Sequence, residues 1–342
     1  MANTPVVVLD DTLTNIANAI RGKNGSSDKY KPGQMADAID SIPAGGLGIP
    51  REVSNGVYKI PEITSFSLPS NATDVGPNAL VHAFDGCTSL TSVDLSSLTA
   101  ASGEQALYLA FRNCTGLTSA DLSSLTTVSG KHAFYSTFQK CANLTSVDLS
   151  SLTTVNGEES FSGAFNGCTS LTSVDLSALT TVDASLALIN SFNGCTSLTS
   201  VDLSSLTTVS NYQALAYAFA NCTSLTSVDL SSLTNVSGYQ ASFKYAFSGC
   251  TKLASVNFSS LAKLGGQSTF YYAFSNCSSL TSLSFPALTA DSFYSEVNQF
   301  NNMLSGVTGC TVHFPAAIQA KIETMTGYPN FGGTNTTVLF DL

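Results

Sequence analysis

The sequence of 342 residues contains no tryptophan and few charged side chains, which make up 11% of the chain. Its 13 Lys and Arg residues are outnumbered by 23 Asp and Glu residues, which gives a formal net charge of -10. Proteins that bind nucleic acid neutralise phosphates with clustered Lys and Arg side chains. The sequence therefore predicts that nucleic acid is not a partner.

Long apolar runs are also missing. No stretch approaches the roughly 20 apolar residues that cross a bilayer as a helix, so no membrane span is predicted. The opening MANTPVVVLDD lacks the basic segment, sustained apolar core and cleavage site of a secretory signal. We expect either a trimmed chain or one that reaches its site without the general secretory route, as a virion component released by lysis would.

Motifs of catalysis and metal binding are missing as well. His82, His132 and His313 are isolated from one another and form neither an H-x-x-x-H nor a Cys/His ligand spacing. The GGTNTT segment near the end lacks the Lys-Ser/Thr pair of a phosphate-binding loop. We predict that the protein is not an enzyme, that it needs no cofactor or metal, and that each His has a surface or capping role.

The nine cysteines show what is present instead. Eight of them recur with a period of about 27 residues, and this is a structural repeat rather than a disulfide pattern. Cysteine is small and commonly buried, so we expect stacked, unbridged thiols inside the fold. These eight are Cys87, Cys114, Cys141, Cys168, Cys195, Cys222, Cys250 and Cys277.

The repeat unit reads approximately CTSLTSVDLSSLTTVSG and closes with A-F-x-x-C. Alternation within it points Val93 and Leu95 inward, and Ser92 and Asp94 outward, as in a short strand. We expect one such strand in each coil, and one or two helical turns on the convex side where apolar residues recur every three or four positions. The predicted strand centres are Ser67, Asp94, Asp121, Asp148, Asp175, Asp202, Asp229, Asn257, Ser284 and His313.

These observations predict an α/β solenoid with a parallel sheet on one face and about ten coils of 27 residues. Right-handed coils are expected, since parallel crossovers almost always have this hand. Leu13, Ile16 and Ile20 lie on one face of a first helix, and a second begins at Pro32. We therefore assign residues 1–43 to a helical hairpin for attachment or self-association, 44–50 to a linker, 51–308 to the solenoid and 309–342 to a capping coil.

An acidic ladder is the first candidate site. Its members fall on the exposed strand positions, about 5 Å apart, so mutual repulsion should raise their pKa values or recruit cations. The alternative, which we favour, is a solvated row in which each carboxylate binds neighbouring Ser and Thr hydroxyls. The ladder consists of Asp94, Asp121, Asp148, Asp175, Asp202 and Asp229.

A variable segment precedes the A-F-x-x-C motif in each coil and is the second candidate site. It accumulates tyrosine, whose large ring and polar tip suit protein interfaces and sugar stacking. Packing between the predicted helical turns is the competing explanation. The candidate binding residues are Tyr108, Tyr135, Tyr212, Tyr217, Tyr239, Tyr245, Tyr271 and Tyr272.

The motif A-F-x-x-C-x-x-L-x-x-V-x-L, seen from Ala83 to Leu95 and recurring through Leu230, resembles the BspA-type leucine-rich repeats of bacterial surface proteins. The resemblance covers about Phe66 to Phe314, although the unit is longer than is usual for that family and most coils have Ser instead of Pro after the strand. It implies a leucine-rich-repeat fold and a role in adhesion or protein binding.

The two terminal segments resemble those of tail-associated proteins of bacteriophages and prophages. They are LTNIANAIRGKNGSSDKYKPGQMADAIDSI near the start and TVHFPAAIQAKIETMTGYPNFGGTNTTVLFDL at the end. This resemblance implies that the solenoid is a receptor-binding part of a virion tail, attached through residues 1–43, that meets a cell-surface protein or glycan. Two alternatives stay open: a BspA-like adhesin on the surface of its own cell that binds host protein or glycan, and a structural spacer or decoration protein.

Overall fold

A computed structural model describes residues 64–68, 70–238, 242–293 and 298–342. The predicted helical hairpin, the linker and Tyr239 lie outside these residues. In the described residues the chain winds into successive coils that stack along one axis, so the predicted parallel solenoid of regularly repeating coils is confirmed.

The first sheet contains eight parallel strands, each paired with the equivalent residues of the next coil. In each strand the middle residue is buried between two outward-facing neighbours, as the alternation of the sequence predicts. The predicted strand centres are the third residues of these strands. The strands are β1 (Ser65–Ser67), β2 (Ser92–Asp94), β4 (Ser119–Asp121), β6 (Ser146–Asp148), β8 (Ser173–Asp175), β10 (Ser200–Asp202), β12 (Ser227–Asp229) and β14 (Ser255–Asn257).

A second sheet corrects the expectation of one strand per coil. Its seven parallel strands follow the corner that comes after the first strand of each coil. Each contributes one buried residue, such as Val128 or Val155, to the interior. They are β3 (Ala100–Ala101), β5 (Thr127–Val128), β7 (Thr154–Val155), β9 (Thr181–Asp183), β11 (Thr208–Ser210), β13 (Asn235–Val236) and β15 (Lys263–Leu264).

The remaining side of each coil is a series of overlapping turns, and the predicted helical turns are wrong. In the coil that ends at Cys114, Gln105, Leu109 and Asn113 have φ of 55°, 56° and 59°, which a right-handed helix does not allow. Alternate N–H groups form local turns, as from Tyr108 to the carbonyl of Gln105. The others donate to the next coil: those of Gln105, Leu107, Leu109, Phe111 and Asn113 to the carbonyls of Lys131, Ala133, Tyr135, Thr137 and Gln139, at 2.7 to 2.9 Å.

We call this third side, formed by the last ten or so residues before each Cys, the turn ribbon. Its backbone groups are satisfied without a helix because half of the N–H groups bond within a coil and half bond to the following coil. Small side chains such as Ala106 and Ala110 lie inside it. The ribbon is therefore a regular, hydrogen-bonded surface that can tolerate variation at its outward positions.

Ladders of identical side chains fill the interior. The phenylalanine rings of successive coils stack at centroid separations of 5.2 to 5.6 Å and within 10° of parallel. A leucine row is equally buried, with at most 1% exposure. The rows are Phe84, Phe111, Phe138, Phe165, Phe192, Phe219, Phe247 and Phe274, and Leu98, Leu125, Leu152, Leu179, Leu206, Leu233, Leu261 and Leu288.

All nine cysteines are buried and unbridged, which confirms the prediction of free thiols. Seven of them donate a hydrogen bond from Sγ to a phenylalanine carbonyl of the preceding coil, at 3.0 to 3.2 Å. Burial raises the pKa of Cys141, Cys195 and Cys250 to about 12. The thiols therefore serve as packing and coil-to-coil hydrogen-bonding groups.

A separate three-stranded sheet closes the C-terminal end, with β16 (Ser282–Ser284), β17 (Thr311–His313) and β18 (Thr337–Leu339) in parallel. Around it lie 3-10 turns at Ala290–Ser292 and Ala316–Ile318 and a short helix α1 (Gln319–Ile322). Ile318 and Ile322 are buried against the last coil. In this capping region the chain therefore uses short helical segments to bury isoleucines against the last coil.

Candidate recognition surfaces

The aspartate ladder lies on the exposed face of the first sheet, which we call the strand face. Register places Asp175 beside Asp148 and Asp202, and the same pairing recurs along the sheet. Each carboxylate accepts a hydrogen bond from the backbone N–H two residues later, as Asp148 does from Ser150 at 3.0 Å. In two coils the Ser hydroxyl also donates, at 2.6 Å to Asp94 and 2.7 Å to Asp148.

Repulsion between neighbouring carboxylates was expected to raise the pKa values of the ladder, but these hydrogen bonds lower the pKa of two of its members. The pKa of Asp94 lies below its ordinary value because the Ser96 hydroxyl and N–H donate to it, and the pKa of Asp148 is lowered by Ser150 in the same way. The prediction that repulsion raises these two pKa values is therefore wrong. Asn257 takes the same position in a later coil and accepts from the N–H of Ser259 at 3.1 Å, so the local turn needs an oxygen but no charge.

The strand face is shallow. A depression of about 780 Å³ runs across β2, β4, β6 and β8 and is lined mainly by their Ser and Asp side chains. Among the described residues, no three His, Cys, Asp or Glu side chains converge as a metal site would require. The outward groups of this face repeat nearly unchanged from coil to coil.

Rows of threonine hydroxyls bond successive coils together on two sides of the solenoid. Thr118 donates both its N–H, at 2.9 Å, and its hydroxyl, at 3.0 Å, to the carbonyl of Thr91 in the preceding coil. Thr126 does the same to Thr99 along the edge of the second sheet. Because the same bonds recur in successive coils, these hydroxyls hold the coils together.

Two tyrosine patches stand on the turn ribbon. The N-terminal tyrosine patch contains Tyr108 and Tyr135, whose rings stack at 5.0 Å, together with His82 and His132, whose rings meet these tyrosines edge to face. All four side chains are half-buried. Sequence reasoning predicts the tyrosines here but not the histidines.

The histidines could have been found by counting back from the cysteine of each coil. His82 precedes Cys87 by five residues, the offset of Tyr217 from Cys222, so the two occupy equivalent ribbon positions. His132 precedes Cys141 by nine residues, and its Nε2 lies 3.6 Å from Glu159 of the next coil.

A buried ion pair adjoins the N-terminal tyrosine patch and was not predicted. Asp85 is only 3% exposed, and it accepts from Arg112 Nε at 3.0 and 3.1 Å and from Asn113 Nδ2 at 3.1 Å. The carboxylate raises the pKa of Arg112 through these hydrogen bonds. An acid and a base separated by one full repeat of the sequence are the signal that could have revealed the pair.

The C-terminal tyrosine patch contains Tyr217, Tyr245, Tyr271 and Tyr272. Tyr217, Tyr245 and Tyr272 form a stack with centroid separations of 4.8 and 5.0 Å, and both pairs lie within 7° of parallel. Tyr271 is nearly perpendicular to the stack, at 82° to Tyr272 and 88° to Tyr245. Partial burial raises the pKa of Tyr217 and Tyr245 above the ordinary value of tyrosine.

Of the eight candidate tyrosines, the structure therefore brings six into two patches. Tyr212 is not part of either stack and is 39% exposed, and Tyr239 lies outside the described residues. Within the described part of the chain, no helix is long and apolar enough to cross a membrane.

Comparison with known proteins agrees with this architecture. The family model of the BspA type leucine rich repeat region matches in six copies, over residues 51–186, 83–213 and 162–305. No curated protein is similar in sequence. Leucine-rich-repeat families are typically non-catalytic binding scaffolds, and no catalytic family is indicated.

Several solved structures are similar at low identity. A leucine-rich repeat protein of T. pallidum is 24% identical, with 58% of this chain and 80% of that chain covered and a TM-score of 0.38. The pneumococcal vaccine antigen PcpA is 16% identical over 83% of this chain and 69% of its own, with a TM-score of 0.45. An internalin from Listeria monocytogenes is 14% identical over 95% and 90%, with a TM-score of 0.28.

TM-scores this low carry no argument about function, whereas the family model covers most of the chain. The chain belongs to the BspA-type leucine-rich-repeat proteins.

Proposed function

We propose that this protein is a non-catalytic recognition protein that binds a bacterial cell surface through its turn ribbon. The observation that supports this most is that recurring and variable residues have different places within each coil. The recurring residues fill the core and form the bonds between coils, whereas the outward residues of the ribbon vary and present stacked tyrosines. Variation on a rigid frame is suited to selecting a particular partner.

We further propose that the protein is delivered as part of a phage or prophage tail, with residues 1–43 as the attachment segment. The support is the resemblance of both terminal segments to tail-associated proteins, and the family match is compatible with a surface-exposed protein. The rival is a surface adhesin that faces a host cell. Resemblance of the repeats to those of bacterial surface proteins favours this second candidate.

Cell binding by the fluorescently labelled full chain tests the recognition role. Saturable binding to cells in a panel of bacterial species is expected. Replacing Tyr108, Tyr135, Tyr245 and Tyr271 together by Ser should weaken binding about tenfold or more, which corresponds to roughly 1.4 kcal/mol. The matched control replaces Asp121, Asp175 and Asp202 by Asn and should leave binding within about twofold, well under that 1.4 kcal/mol.

The outcomes separate the candidates. Binding to cultured host cells but to none of the bacteria would favour the adhesin, and binding to neither would favour a structural spacer. For delivery, immunogold labelling of purified virions should place the protein at the tail. Labelling confined to the cell wall of the producing bacterium would contradict tail attachment.

A further inference from the structure

The two tyrosine patches differ in charge. Around the N-terminal tyrosine patch the ribbon carries Asp85, Glu104, Arg112, Lys131 and Glu159. In the three coils that carry the C-terminal tyrosine patch, the described ribbon residues 211–222, 242–250 and 265–277 contain no Asp or Glu, and Lys244 is their only charged residue. A chain with a net charge of -10 therefore displays one nearly uncharged recognition surface.

This lack of charge argues against two classes of partner, polyanions and basic segments. A polyanion would meet a single lysine on an acidic protein, and a basic segment would find no carboxylate on these three ribbon segments with which to pair. What the surface does offer is hydroxyl and amide groups, from the tyrosines and from the exposed side chains of Asn221 and Asn276. These groups both donate and accept hydrogen bonds without charge, as sugar hydroxyls do.

The rings of the C-terminal tyrosine patch have two orientations, three in a parallel stack and one across it. In the stack of Tyr217, Tyr245 and Tyr272 neighbouring rings cover each other's faces, so the stack presents ring edges and a row of hydroxyls. Among the described residues, no other aromatic ring stacks face to face on Tyr271, which is set across the stack. Tyr271 can therefore offer its face to the apolar side of a sugar ring while the row supplies hydrogen bonds.

The stacked tyrosines of this patch also repeat from coil to coil. The stack places equivalent hydroxyls on three successive coils, and its two centroid separations of 4.8 and 5.0 Å together span about 10 Å. A polymer with repeating hydroxylated units can engage such a row at several points at once, and this raises its affinity above that of a single unit.

We propose that the C-terminal tyrosine patch binds an uncharged polysaccharide chain that lies along the solenoid axis. The inference rests on the proposed recognition of a bacterial surface and specifies the chemical class of the partner. Tyr271 stacks on one sugar ring, the hydroxyls of Tyr217, Tyr245 and Tyr272 bind neighbouring units, and Asn221 and Asn276 flank them.

Affinity electrophoresis of the full chain tests this proposal, with gels that contain dextran, yeast mannan, galactan or a mixed-linkage β-glucan, and hyaluronan as the charged comparison. At least one neutral polysaccharide should retard the protein, and hyaluronan should not. Tyr271→Ala should weaken retardation about tenfold, a loss of about 1.4 kcal/mol. The triple variant Tyr217→Phe, Tyr245→Phe and Tyr272→Phe, which keeps the rings, should weaken it about fivefold, a loss of about 1 kcal/mol.

The matched control is the double variant Ser173→Ala and Ser200→Ala, two exposed residues of the strand face that lie outside the turn ribbon, and it should migrate as the unchanged protein does. Circular dichroism melts of every variant show whether the fold is kept; the Phe variant decides the matter if Tyr271→Ala unfolds. The proposal is overturned if none of the neutral polysaccharides retards the chain, or if the control loses as much affinity as the C-terminal variants.

Cell binding distinguishes this failure from failure of the proposed function. Periodate oxidation of the bacterial cells should abolish binding, whereas protease treatment should leave it intact. Binding that depends on the tyrosines but is lost only after protease treatment would overturn the polysaccharide and leave the recognition role standing. Absence of any cell binding would overturn the recognition role itself.

Discussion

The strand face and the turn ribbon belong to the same coils but differ in how much their outward residues vary from one coil to the next. On the strand face, Ser and Asp recur in register and serve local turns, and the row of outward groups is nearly uniform. On the ribbon, buried Ala, Phe and Cys recur while the outward residues change. The ribbon bonds to the next coil mainly through its backbone, so its outward side chains are free to vary, whereas Asp and Thr side chains on the other sides of the coil take part in hydrogen bonds themselves.

The largest effect is expected from the ribbon's own core. Phe165 stacks between Phe138 at 5.3 Å and Phe192 at 5.5 Å and is fully buried, so Phe165→Ala should lower the free energy of unfolding by about 3 to 5 kcal/mol. Urea denaturation followed by circular dichroism measures this loss.

The matched control on the strand face is Ser173→Ala, an exposed residue whose loss should change stability by less than about 0.5 kcal/mol. If Phe165→Ala costs less than about 1 kcal/mol, well short of a buried phenylalanine, the ribbon is a peripheral loop and the comparison fails.

Next in size is the buried ion pair of the ribbon. Arg112→Met removes the guanidinium from the Asp85 carboxylate, which keeps Asn113 and His82 beside it. The change should cost about 2 kcal/mol, less than breaking a fully buried pair because the Arg112 side chain is 29% exposed. Adding Asp85→Asn to that variant removes the stranded charge and should restore at least half of the loss in the same urea experiment. A single variant as stable as the original protein would show that the pair is screened by solvent.

The ladders of the core could be predicted because they depend on periodicity alone. A position that recurs once in every coil must stack on itself, and Phe165 and Cys168 do so. The second sheet was missed because strands such as Thr127–Val128 are two residues long and leave no alternating pattern to detect.

The turn ribbon was mistaken for helical turns because its apolar spacing imitates a helix. Ala106, Ala110 and Phe111 are buried together as they would be on one helical face. The left-handed conformations of Gln105 and Leu109 are not encoded by glycine, so the sequence gives no warning of them. They become favourable only when the neighbouring coils supply hydrogen-bond partners, which is information that one coil does not contain.

The same left-handed position is glycine in one coil of the ribbon and lysine in the coil before it. Gly167 has φ of 74°, and the equivalent Lys140 of the preceding coil has φ of 61°. Gly167→Ala should cost about 1 kcal/mol from backbone strain alone, since the nearest atom to the added Cβ lies at 3.5 Å, and Lys140→Gly should gain a similar amount of about 1 kcal/mol. Shifts of the urea midpoint in the same direction for both variants would show that side-chain contacts, not backbone conformation, decide stability here.

The smallest effect is expected on the strand face, where the carboxylates are exposed. Because the pKa of Asp94 is lowered in the folded protein, its contribution is present above the unfolded value of about 4 and is lost as the pH falls through the folded value. Asp94→Ala should therefore cost less than about 0.5 kcal/mol at pH 7, and the difference from the unchanged protein should shrink as the pH falls below the unfolded value of about 4.

Asp94→Asn is the control for that experiment, since Asn257 forms the same turn without a charge; it should keep part of the stability that Asp94→Ala loses at pH 7, and its own contribution should not change with pH. Thermal melts should also be unmoved by millimolar Ca²⁺ or by a chelator. If Ca²⁺ instead raised Tm for the original protein but not for the Asn variant, the row would be a cation site. The strand face would then be a second recognition surface, and its carboxylates would do more than hold the local turns.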